Sequence, residues 1–191
     1  DPIHNKVFLT FLIAIVKAVH ENQDLLRISV ADAGNDHRLG GNEAPPAILS
    51  MFIGTDLEKV LKCVEEDLPY NEETLKSLEI DVNVLPSFKK DTTDRNRTSP
   101  FAFTGNKFEF RMLGSTANIA CPNTILNTIV AESLDYISDY LEGKDDLDKA
   151  LNEVLKKILK EHKAIIFNGN NYAPEWVEEA ESRGLLKPEG K

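Results

Sequence analysis

The sequence predicts an α+β fold, a short antiparallel sheet backed by helices. Three observations carry that expectation. Residues 98–112 alternate phenylalanines with small or charged residues around Gly105-Asn106, as a hairpin does. Long stretches before and after it place apolar residues three and four apart, the spacing of helices with one buried face. The 191 residues are 41% hydrophobic and 28% charged, enough to build one core and unlike a disordered or fibrous chain.

Residues 5–22 read as a helix buried on most sides. Its apolar stretch, Val7 to Val16 interrupted by Thr10, is too short to span a bilayer. It has neither the basic leader nor the small-residue cleavage site of a signal peptide. Leu25 to Ala31 reads as an extended or helix-end segment. Asp32 to Pro46 is a glycine-rich polar loop, of a length and composition that usually serve a function. Ala47 to Ile53 has the run of a buried strand. Thr55 to Asp67 has helical spacing, with Thr55 or Asp56 as N-cap.

Residues 69–93 are polar, with a weaker helical signal near Glu72 to Leu78, so 55–93 reads as an elaboration between two strands. After the hairpin, residues 123–142 form an amphipathic helix stopped by Gly143, and Leu147 to His162 a second one. Asn168 to Asn171 is a turn, and Pro174 to Arg183 a last helix opened by its proline. The expected sheet joins 47–53, 98–104 and 107–112, backed by the helices at 5–22 and 123–142.

The formal charge is −10 and the pI about 4.9, which disfavours general binding to nucleic acid or an anionic membrane. Two cysteines, Cys63 and Cys121, cannot make a disulfide framework, and no Cys/His zinc spacing exists. Both read as buried thiols in a reducing, cytoplasmic setting. His4, His20 and His162 read as surface or packing residues. The chain opens at Asp1-Pro2 without methionine, which implies processing or excision from something longer.

Three clusters could carry chemistry. In Lys107-Phe-Glu-Phe-Arg111, Glu109 and Arg111 project from one side of a strand, about 7 Å apart at the backbone. That carboxylate suits a hard divalent cation, and that guanidinium suits a carboxylate or phosphate. The plain alternative is an exposed Glu–Arg pair. Asp94-Arg-Asn-Arg-Thr98 makes a compact anion site or an ordinary solvated loop; Asn96-Arg-Thr98 also fits a glycosylation sequon. The glycine loop with His37, Arg38 and Glu43 could close over a site as a lid, or be an ordinary turn.

Taken in order, these segments resemble one family. Arg38-Leu-Gly-Gly-Asn-Glu-Ala-Pro45, Arg95-Asn-Arg-Thr98 and Phe108-Glu-Phe-Arg111 look like the second half of a glutamine synthetase catalytic domain. Ala33 to Pro46, Asp94 to Phe101 and Asn118 to Thr124 are similar to the type III branch. The resemblance runs over nearly the whole chain. It implies an ATP-dependent ligase that uses Mg²⁺ or Mn²⁺, phosphorylates glutamate and lets ammonia displace the phosphate.

By resemblance, Arg38 and Arg111 hold glutamate, and Glu43 shields the intermediate and takes a proton from ammonium. Arg97 stabilises the transferring phosphoryl group on the nucleotide side, Lys107 falls at a nucleotide-side position, and Glu109 is a metal ligand. Where the better-known bacterial branch has an arginine five residues after Arg97, this chain has Ala102.

The resemblance further implies a single partial catalytic domain over residues 1–191. Within it, 55–93 is a branch-specific insertion and 144–191 a helical C-terminal extension. The other metal ligands and much of the nucleotide site belong to a missing N-terminal part. The fragment is expected to be inactive alone, and the complete protein to form a ring homo-oligomer. Two other readings stand beside it: a non-catalytic assembly or regulatory module, and another ATP-dependent carboxylate–amine ligase or guanidino kinase. Convergence of Arg97, Glu109 and Arg111 on one pocket separates the first from the ligase.

Overall fold

The computed structural model describes residues 5–41, 43–69, 71, 74 and 97–185. Among these, the helices are α1 (Lys6–Glu21), α2 (Gln23–Ile28), α3 (Ala33–Arg38), α4 (Thr55–Glu66), α5 (Ala120–Leu141), α6 (Leu147–His162) and α7 (Pro174–Ser182), with a 3₁₀ turn at Lys163–Ile165. The strands are β1 (Met51–Phe52), β2 (Phe101–Phe103) and β3 (Phe108–Phe110). The elements make the expected α+β class. The helical signal near Glu72 to Leu78, Arg95 and His4 lie outside the described residues.

α1 is the hub. Asn5 opens it by accepting the Phe8 N–H at 3.0 Å. Leu12, Ile13, Val16 and Val19 then bury completely or nearly so. The helix packs on α5 and α6. α6 delivers Val154, Leu155, Ile158 and Leu159 into the same core, and its Asp146 cap accepts the Lys149 N–H. α7 adds Trp176, stacked on Phe167 with ring centroids 3.8 Å apart.

The sheet departs from the expectation in strand direction and in the length of β1. β2 and β3 are antiparallel, with Phe101 opposite Phe110, Ala102 opposite Glu109 and Phe103 opposite Phe108. β1 runs parallel to β2, Met51 opposite Phe101, so the sheet is mixed. The physical reason is connectivity. α4 and the segment after it separate β1 from β2, and a crossover that long leaves the strand direction free, whereas a tight turn forces antiparallel pairing. β1 is also shorter than the apolar run that suggested it, although Ile48, Leu49 and Ile53 around it are buried. On its other edge, Ile166 forms a single parallel bridge with Met51, and the Phe167 N–H donates to the Met51 carbonyl at 2.9 Å.

The Leu25 to Ala31 segment is the helix end of its two readings, closing α2, whose first turn carries Asp24. Two local expectations are corrected. Part of the glycine-rich loop is helical: Asp32 accepts the Asn35 N–H at 2.8 Å and starts α3 despite Gly34. Cys63 is buried as expected, but Cys121 is exposed. α5 begins at Ala120, which puts Pro122 in the first turn, where no intrahelical N–H is needed, and turns Cys121 outward.

Candidate active site

The hairpin sets the first part of the site. Its turn is closed by the Thr104 N–H donating to the Lys107 carbonyl at 2.9 Å. Gly105 takes a φ of 92°, in the left-handed region that favours glycine. Phe101, Phe103, Phe108 and Phe110 share one face, and their rings lie 5.1–6.0 Å apart across the strands. Alternation therefore turns Glu109 and Arg111 to the other face. Just past β3, the Arg111 N–H donates to the Pro100 carbonyl at 2.8 Å, which fixes Arg111 beside the approach to β2.

Glu109 and Arg111 meet directly. Arg111 donates through Nη2 and Nε to Glu109 Oε2, at 2.8 and 3.1 Å. Lys107 Nζ lies 3.4 Å from the other carboxylate oxygen. The Arg111 hydrogen bond holds the Glu109 carboxyl below the usual carboxylate range, against a smaller opposing effect of burial and with Lys107 adding to it. Ala102, opposite Glu109, is wholly buried in the middle strand.

Arg38 is fixed from the opposite direction. It ends α3, and its Nε donates to Asn35 Oδ1 at 3.0 Å. Its Nη2 donates to the Met112 and Leu113 carbonyls at 3.2 and 3.1 Å. Asn35 is only 2% exposed. Its amide nitrogen donates to the Val30 and Met112 carbonyls at 2.7 and 2.8 Å. One buried amide thus ties α3 to the segment leaving β3 and orients the arginine between them. Gly114 stands so close that a Cβ there would lie 3.4 Å from the Asn35 side chain.

The chain after Arg38 turns back on itself. Gly40 has a φ of 82°, and its N–H donates to the Pro45 carbonyl at 2.9 Å. Glu43 stands in the loop so closed, beside a buried Ala44.

These pieces bound one open cavity of about 110 Å³. Arg38 and Glu43 line it from the first segment, Arg97 and Thr98 from the approach to β2, and Arg111 from the exit of β3. Its remaining walls include Pro45, Pro100 and Met112. Four residues read from the sequence as site residues therefore come together here: Arg38, Glu43, Arg97 and Arg111. Glu109 adjoins the cavity through its pair with Arg111 without lining it. Lys107, on the turn, lies farther out with a largely exposed side chain.

Such an arrangement can hold an anion. Three guanidinium groups supply fixed charge and forked donors, and proline and methionine walls limit water. A divalent cation is a different matter. Among the described residues no group of three or more His, Cys, Asp or Glu side chains could hold a metal. Glu109 offers one carboxylate, already engaged by two cations. These residues do not by themselves fit a metal site.

Sequence comparison bears on what the anion is. Residues 150–189 match the family model described as the glutamine synthetase C-terminal domain. The chain is 46% identical over 187 residues to the type-3 glutamine synthetase of Dictyostelium discoideum, covering 96% of this chain. Over nearly its whole length the chain is similar to glutamine synthetases. It is also 47% identical to a glutamine synthetase of Butyrivibrio fibrisolvens over 190 residues and 43% identical to one of Bacteroides fragilis (strain YCH46) over 192, each match covering 97% of this chain. The chain spans about a quarter of the length of these curated relatives: 25%, 26% and 26%. The type III resemblance read from the motifs thus agrees with the name of the Dictyostelium relative.

Sequence reasoning missed three contributors. Asn35 and Asn171 are buried amides, and Tyr172 lines the cavity from the far end of the chain. Asn35 was hidden in a segment read as loop. The turn expected at Asn168 to Asn171 stops one residue short of Tyr172, although four polar or glycine residues before an aromatic are a recognisable signal.

Proposed function

We propose that this chain supplies the glutamate and phosphoryl side of a glutamine synthetase active site. The observation that carries the reading is the convergence of Arg38, Arg97 and Arg111, with Glu43, on one cavity. An assembly module has no need of three arginine head groups around a common space. Glu109 stays within hydrogen-bond reach of that group, through Arg111.

Each role follows from charge and position. Arg38 and Arg111 hold the carboxylates of glutamate by charge-assisted hydrogen bonds. Arg97, which lines the same cavity, neutralises the phosphoryl group that ATP transfers to the side-chain carboxylate. Phosphoryl transfer needs positioning and charge stabilisation more than a protein nucleophile, so a cluster of cations is suitable machinery. Glu43, on the loop closed by Gly40 and Pro45, accepts a proton from ammonium and keeps water from the acyl-phosphate.

ATP and Mg²⁺ or Mn²⁺ belong to this reading as cosubstrate and cofactor. When bound, the cation would offset charge on the phosphates. Glu109 would be one of its ligands and Lys107 a nucleotide-side cation, with the further donors coming from the rest of a longer polypeptide. The chain's span of a quarter of its relatives and its lack of a three-ligand cluster among the described residues support that division. The complete protein then works as a ring homo-oligomer. Two free thiols suit the reducing cytoplasm.

The test is ATP-dependent formation of γ-glutamyl hydroxamate. The 191-residue chain alone gives no turnover, and the longer protein containing it gives turnover that Arg97→Ala removes. Turnover by the chain alone at an ordinary enzymatic rate would contradict the division of the site, and an Arg97→Ala protein of full activity would contradict the reading itself.

A further inference from the structure

The C-terminal segment is more than helical packing, because it reaches the cavity. After the bridge at Ile166, the chain is fixed by Asn168 to the exit of β1 and by Asn171 to the approaches of β1 and β2. Asn168 Oδ1 accepts the Ile53 and Gly54 N–H groups at 3.1 and 2.9 Å. Asn171 is 1% exposed. Its N–H donates to Thr98 Oγ1 at 3.0 Å, its Oδ1 accepts from the Thr98 hydroxyl at 3.4 Å, and its Nδ2 donates to Ser50 Oγ at 2.7 Å. Asn170 Oδ1 accepts the Tyr172 N–H at 3.0 Å.

Tyr172 follows these anchors and, among the described residues, is the one lining the cavity from beyond Met112. It is 44% exposed, and among the described residues its hydroxyl has no hydrogen-bond partner. A backbone anchored by these asparagines thus places a tyrosine side chain at a space that three arginines also line. The same tie holds Thr98, and with it the position next to Arg97, to the C-terminal segment.

We infer that Tyr172 is a ligand-contacting residue of this cavity, donating its hydroxyl to an anionic oxygen of the bound molecule. Asn171 is the positioning residue that sets both Tyr172 and the Arg97–Thr98 wall. This deepens the anion-site reading and rests on it. The chemistry gives a reason for a tyrosine here. A neutral hydroxyl adds a directional donor without adding a fourth positive charge, so it selects among anions by shape.

The test titrates the 191-residue chain, its tyrosine rings carbon-13 labelled, with inorganic phosphate and separately with L-glutamate. Four tyrosines make the assignment simple, and the single tryptophan, Trp176, reports folding by fluorescence. In the wild type the Tyr172 ring signal moves on addition of a probe. Tyr172→Phe weakens binding of at least one probe by roughly three- to tenfold, the worth of one ordinary hydrogen bond at a half-open site. Loss for phosphate alone places the hydroxyl at the phosphoryl position, and loss for glutamate alone at the carboxylate position.

Asn171→Ala, and independently Ser50→Ala, diminish the Tyr172 response while the Trp176 signal and unfolding midpoint of at least one of them stay within the folded range. Equal binding of both probes by wild type and Tyr172→Phe, with Arg97→Ala still impaired, would overturn the inference and leave the anion site standing. Absence of binding by the wild type would overturn both.

Discussion

Replacing Asn35 by alanine removes the side chain that holds Arg38. The amide makes three hydrogen bonds: donations to the Val30 and Met112 carbonyls at 2.7 and 2.8 Å, and acceptance from Arg38 Nε at 3.0 Å. A buried hydrogen bond contributes about 1 kcal/mol net, and a group left without its partner costs more. Met112 O keeps a donor in Arg38 Nη2, whereas the bond to Val30 O is lost outright. Asn35→Ala is therefore expected to destabilise the chain by about 2–4 kcal/mol.

Urea unfolding followed by Trp176 fluorescence measures this directly. A loss of that size moves the midpoint down by about 1–2 M for an m-value near 2 kcal/mol/M. The same variant removes one of the three contacts that orient Arg38 and leaves those to the Met112 and Leu113 carbonyls, so on the proposed function it weakens glutamate binding as well. Stability within about 0.5 kcal/mol of wild type, together with unchanged binding, would refute the claim that one buried amide both joins α3 to the exit of β3 and aims the arginine.

Other perturbations have equally definite outcomes. His20 and His162 meet Nδ1 to Nδ1 at 2.9 Å between α1 and α6, faced by Glu21, Glu161 and Lys17, and burial lowers the pKa of both from 6.5. The unfolded chain then binds protons first, so stability is complete above about pH 6.5 and falls as pH drops through that value. Unfolding midpoints between pH 8 and 5.5 check the sign; stability rising on acidification would contradict it. Truncating Ile158, wholly buried on the core face of α6, to alanine costs about 2–5 kcal/mol, measurable by the same urea titration. Gly40→Ala forces a Cβ into a left-handed φ of 82°, costs about 1 kcal/mol or more, and disturbs Glu43, which hydrogen exchange at Ala44 reports.

Much of this molecule could be read from periodicity. α6 spans the residues its apolar spacing indicated, and the hairpin turns at Gly105-Asn106, because a glycine φ and a run of alternating phenylalanines are local properties. Glu109 and Arg111 fell on one face for the same reason. What alternation could not supply was the direction of β1, which depends on a crossover, or the helicity of α3, which depends on one Asp32 cap. The site divides similarly. Its charged residues lie in compact motifs, whereas Asn171 and Tyr172 reach the cavity only because Ile166 pairs with Met51, a contact between distant parts of the chain.

The most direct measurement follows the arginine Nε–H signals of the 191-residue chain by nitrogen-15 correlation spectroscopy during addition of L-glutamate and then phosphate. The account predicts that Arg38, Arg97 and Arg111 respond together, with Arg27 and Arg183 unmoved. Responses scattered over unrelated arginines, or none from these three, would contradict it.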